Sequence, residues 1–80
     1  MPHKRAKLNS TERTAYNWIH DFQDRYQTRP TYQRIADGVG CSYAMAKQLM
    51  LQLAAKGWLE IAYSDDGYPV LTEPFKLKGE

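Results

Sequence analysis

Eighty residues, 42% hydrophobic and 25% charged with a net charge of +2, leave room for one small core and are too apolar for a disordered chain. The single cysteine, Cys41, excludes an internal disulfide framework and fits a reducing compartment. No apolar stretch follows the first seven residues as a signal peptide would require, and no run approaches bilayer length, so a soluble cytoplasmic domain with no membrane attachment is expected.

His3, Lys4, Arg5 and Lys7 crowd the start with no acid among them, which reads either as a flexible basic arm over residues 1–8 or as an ordinary solvated terminus. Asn9 stands where a helix cap belongs, and Glu12 is its capping-box partner three residues on. Ala15, Trp18, Ile19, Phe22 and Tyr26 then recur at helical spacing. They predict a long amphipathic helix ending near Gln27, with the aromatic stripe as core and not a cofactor box. Pro30 breaks the helical pattern and biases Arg29 toward extended backbone.

Thr31 caps a second, short helix with Ile35, Ala36 and Val39 facing inward. Gly38 inside that helix costs about 1 kcal/mol against alanine. Gly40 ends it in a conformation of positive φ. Ser42 caps a third helix from Tyr43 to Lys56 with Ala46, Leu49, Met50 and Leu53 inward, and Gly57 stops it. The period then shortens. Trp58 to Tyr63 reads as a strand, Ser64-Asp65-Asp66-Gly67 as a hairpin turn, and Tyr68 to Thr72 as a returning strand that Pro69 marks as an edge. The expected domain is 9–72, followed by a polar C-terminal tail over 73–80 whose Phe75 and Leu77 give it the means to fold back.

Two helices joined by a three-residue turn through glycine form the core of a helix-turn-helix. Ala36 is small where the helices must cross, Gly40 takes the turn, and Ala46 and Leu49 lock the second helix against the first. With Pro30-Thr31, Ile35-Ala36, Val39-Gly40, Ser42 and the stretch Leu53-Ala54-Ala55-Lys56-Gly57-Trp58-Leu59-Glu60-Ile61, the chain resembles the winged helix-turn-helix DNA-binding domain of the LexA repressor family from Leu8 to about Leu71. The resemblance implies an α+β, mainly α fold of three helices followed by a two-stranded β-hairpin wing. It implies a repressor that reads operator half-sites with its third helix. The turn between Gly40 and Ser42 is one residue shorter than in that family, and the recognition positions carry different side chains.

Carried onto this sequence, the likeness sends the start of the third helix into the major groove. Tyr43, Ala44, Lys47, Gln48 and Leu51 lie outside the packed stripe. Gln48 suits a bidentate contact to adenine, and Lys47 a guanine or a phosphate. Thr31 and Ser42 cap helix N-termini whose N–H groups suit phosphate oxygens, although both residues cap with or without DNA. Arg34 and Lys56 add flanking charge, and Lys4, Arg5 and Lys7 would trail into a neighbouring groove. The expected function is a sequence-specific double-stranded DNA-binding regulator of transcription.

Other features pull the opposite way. Asp65 and Asp66 at the hairpin tip would repel phosphates, and Ala44, Leu51 and Ala55 make the outward face of the third helix apolar. Leu51, Tyr63 and Tyr68 would suit a protein, so the alternative is an interaction module docking on a component of a transcription complex. A symmetric operator would need a weak homodimer through the apolar surface or the tail. Catalysis is not expected: His3 and His20 are the only imidazoles, with no zinc-ligand spacing and no phosphate-cradling glycine loop. No cofactor or metal is therefore foreseen, and Cys41 reads as a small residue filling the turn.

Overall fold

The computed structural model describes residues 7–70 and 73–78. Three helices, α1 (Ser10–Tyr26), α2 (Tyr32–Val39) and α3 (Tyr43–Ala55), are followed by short strands β1 (Leu59–Glu60) and β2 (Lys76–Leu77). The strands pair antiparallel, Leu59 opposite Leu77 and Glu60 opposite Lys76. The result is a small, mainly helical α+β domain with one two-stranded hairpin.

Each helix begins on the cap that its sequence offers. The Asn9 side chain accepts from the Glu12 N–H at 2.8 Å while Glu12 Oε1 accepts from the Asn9 N–H at 3.0 Å, a complete capping box. Thr31 accepts from the Arg34 N–H and Ser42 from the Met45 N–H, each at 3.1 Å. The ends are equally local. Gly40, with φ at 85°, turns the chain out of α2, and the N–H groups of Gly40 and Cys41 both donate to the Ala36 carbonyl. Gly57, with φ at 80°, closes α3 in a Schellman arrangement: its N–H donates to Ala54 and that of Trp58 to Leu53.

The core gathers Ala15, Tyr16 and Ile19 of α1, Ile35 and Ala36 of α2, and Ala46, Leu49, Met50 and Leu53 of α3 under Trp58, Leu59 and Phe75. The α2 and α3 stripes agree with their spacing, and Val39 packs against them from the edge. In α1 the buried face is rotated from the expected one. Glu12, Tyr16 and Gln23 are buried beside Ala15 and Ile19, whereas Trp18 and Phe22 are half-buried and Tyr26 is 53% exposed. The reason is that polar atoms of Glu12 and Gln23 find partners inside, so burial costs them less than hydropathy suggests. Leu8, assigned to the arm by sequence, is also buried in the core.

The hairpin differs from expectation in its second strand. Beyond the turn, Tyr63 bridges to Pro69 and the Val70 N–H donates to the Ala62 carbonyl, but the paired strand proper lies at Lys76–Leu77. Between those two points the outgoing side has two residues and the return side six. Proline at 69 and again at 74 gives no N–H to extend a ladder through this stretch. Leu71 and Thr72 lie outside the described residues. The C-terminal stretch 73–78 is anchored by Phe75: its N–H donates to Gln23 Oε1 at 2.8 Å, and its carbonyl accepts from Gln23 Nε2 at 3.0 Å.

Candidate nucleic-acid interface

The turn from Gly40 to Ser42 fixes which side of α3 packs. Ala46, Leu49, Met50 and Leu53 go inward, so Tyr43, Ala44, Lys47, Gln48, Leu51 and Ala55 all emerge exposed. Tyr43 is 52% exposed and Leu51 54%. Lys47 is the only charged residue between Tyr43 and Ala55, and no acid in that span opposes it. The exposed face is therefore a ridge with one cation, one amide and an apolar flank.

Its base is fixed by the cap and by an aromatic contact. Ser42 Oγ is engaged by the Met45 N–H, which leaves the Ser42 hydroxyl hydrogen to donate elsewhere. The Tyr43 ring meets Tyr32 edge-on, with centroids 5.9 Å apart. Behind Tyr32 lies a residue that sequence reasoning read only as the neighbour of a proline. The Arg29 guanidinium is buried over the Phe75 ring at 4.3 Å and beside Tyr32 at 5.6 Å, and its Nη2 donates to the Tyr32 hydroxyl at 3.3 Å. Among the described residues its Nη1 has no hydrogen-bond partner. Phe75, Arg29, Tyr32 and Tyr43 thus form a continuous stack from the C-terminal strand to the start of α3. A cationic residue in a loop gives no sequence signal for burial, because its partners are aromatic faces distant in the chain.

The other proposed contacts are not all gathered at this ridge. Thr31 lies exposed at the start of α2, with its hydroxyl capping that helix. Arg34 is exposed but stands over Phe22 of α1, its guanidinium carbon 5.7 Å from the ring centroid. Lys7 is exposed beside the start of α1. Lys4 and Arg5 lie outside the described residues. Lys56 is committed internally: its ammonium pairs with buried Glu12 and reaches the Lys7 carbonyl. That pairing, reinforced by the Asn9 N–H, holds the Glu12 carboxyl below its ordinary pKa against the opposing effect of burial.

At the hairpin tip Asp65 and Asp66 are exposed, and Tyr63 and Tyr68 are 60% and 72% exposed. The Cys41 thiol is half-buried against the core edge, as a space-filling turn residue would be. Among the described residues no group of His, Cys, Asp or Glu is arranged to hold a metal ion, and no helix is long and apolar enough to cross a membrane. Neither protein-family models nor curated proteins give a match to this sequence.

Proposed function

We propose that this chain is a winged helix-turn-helix module that binds double-stranded DNA in a sequence-specific manner and regulates transcription by occupying its site. The observation that carries the reading is the three-residue turn with Gly40 at positive φ, which leaves Tyr43, Ala44, Lys47 and Gln48 exposed on α3. An exposed helix with a bidentate amide and a cation near its N-terminal end suits the major groove. Gln48 reads adenine, Lys47 takes a guanine or phosphate, and the caps at Thr31 and Ser42 orient N–H groups toward the backbone. Arg34 and the basic residues Lys4, Arg5 and Lys7 supply flanking charge. Lys56 drops out of this set because Glu12 neutralises it.

Selection from a random duplex pool tests the reading. A recovered motif whose adenine preference disappears in Gln48→Ala, while overall affinity falls by about 1–3 kcal/mol, supports it. Recovery of no motif at low salt overturns it. A second reading is favoured by the exposure of Leu51, Tyr63 and Tyr68. In that reading the module docks on a protein of a transcription complex. Leu51→Lys would then abolish the protein contact and leave duplex binding unchanged.

A further inference from the structure

The row of α3 that lies opposite its core contacts carries no charge. At about 100° of rotation per residue, Ala44, Gln48, Leu51 and Ala55 fall within about 60° of one another and point directly away from Ala46, Leu49, Met50 and Leu53. The outer residues are all exposed and the inner ones all buried. Lys47 stands about 70° to one side of the outer row, with Tyr43 further round on the same side. The crest of the ridge is therefore one amide among apolar groups, and the cation is on its flank.

That order has a counterpart in the major groove. The C5-methyl group of thymine is the apolar element of the base code, and alanine and other apolar side chains meet it there. Gln48 is the one crest residue able to pair with the N6 and N7 edge of adenine. A bidentate guanine contact calls for Arg or Lys, and the crest has neither. Alanine at 44 and 55 keeps the helix backbone close to whatever the crest meets, where long side chains would hold it off. From Ala44 to Leu51 the helix rises about 10 Å, the height of about three stacked base pairs. Ala44 and Leu51 thus reach one or two pairs to either side of the one that Gln48 reads. Two alanines and one leucine in single file offer far less surface than the roughly 800 Å² a side of a stable protein interface.

We infer that the duplex this chain selects is A·T-paired at its centre: an adenine held by Gln48, thymine methyl groups against Ala44 and Leu51, and a phosphate on Lys47. The inference rests on the duplex reading and goes beyond it, assigning the class of base pair and taking guanine out of the reach of Lys47.

Replacing each thymine of the selected duplex singly by deoxyuridine is the test, because it removes one methyl group and no hydrogen bond. Fluorescence anisotropy with the full chain should show affinity falling about fourfold at two thymines, one on each side of the adenine that Gln48 requires, the worth of one buried methyl group. Other thymines should be indifferent. Leu51→Ala should lose the response at one of the two positions and keep it at the other. Lys47→Ala should weaken every duplex alike and flatten the log–log salt dependence by about 0.9, the share of one phosphate. Both variants replace an exposed residue by the best helix former, and the deoxyuridine series needs no variant at all. No duplex bound at low salt overturns the duplex reading and this inference with it. A motif of G·C pairs at its centre, or an A·T motif indifferent to deoxyuridine, overturns the inference alone and leaves the duplex reading standing. A methyl response that persists at both positions in Leu51→Ala does the same, by placing the contact elsewhere, as does a guanine preference that Lys47→Ala abolishes.

Discussion

Glu12 is 2% exposed, yet it is the residue on which the start of α1 and the end of α3 converge. One carboxylate oxygen serves the Asn9 N–H and the Lys56 ammonium together. Hydrogen bonding to Lys56 lowers its pKa first, the Asn9 N–H second, and both outweigh the burial that raises it. A carboxyl whose folded pKa lies below its unfolded one stabilises the fold above the ordinary value near 4.5. That contribution is lost as pH falls through the folded-state pKa. Glu12→Gln isolates it, because glutamine can still complete the capping box. The variant should be about 1–3 kcal/mol less stable at neutral pH, with the lysine's partial exposure moderating the loss. The gap should close in acid, where the wild-type carboxyl is itself protonated. Chemical denaturation at several pH values checks this, and a gap independent of pH would assign the loss to packing instead.

At the scale of elements, the helices and their caps were legible because they are local. Asn9, Thr31, Ser42, Gly40 and Gly57 each act within a few residues, and each ends or begins a helix where its chemistry requires. The face of α1 was not legible, because hydropathy ranks Trp18, Phe22 and Tyr26 above Glu12 and Gln23 while the partners that reverse the order come from α3 and the C-terminal strand. The outward set on α3 follows from its spacing, but the separation of Arg34 and Lys56 from that set depends on Phe22 and Glu12, which no spacing reveals. Gly38 belongs to the same class. Read as a cost in the middle of α2, it is the site where the Trp18 indole lies against the helix, and a methyl group there would overlap the ring. Gly38→Ala gains about 1 kcal/mol in helix propensity but forces the half-buried indole aside, an overpacking cost of about 1–3 kcal/mol. Net destabilisation with a red shift in Trp18 fluorescence is the expected outcome. Stabilisation would mean that the indole swings away freely and that the α1–α2 contact does not depend on it.

On the scale of the whole molecule, closure depends on the far end of the chain. The stretch read as a tail supplies β2, the buried Phe75 ring and the aromatic face on which Arg29 rests. Gln23 acts as a substitute strand for it, with its amide oxygen and nitrogen matching the N–H and C=O of one residue as a neighbouring backbone would. No sequence pattern signals a pairing across fifty-two residues between one side chain and one peptide unit. Gln23→Met keeps the length of the side chain and strips both polar atoms, leaving two buried backbone groups of Phe75 unpaired. Each such group costs about 1–3 kcal/mol, so the variant should lose roughly 2–6 kcal/mol, a large share of what a domain of this size possesses. The loss should be local before it is global: amide exchange at Phe75 and in β2 should accelerate well beyond exchange in α3. Because Phe75 leads through Arg29 and Tyr32 to Tyr43, the aromatic resonances of Tyr43 should shift as well. Uniform acceleration at every amide, with Tyr43 unmoved, would instead mean that the C-terminal strand and the start of α3 are not connected through this stack.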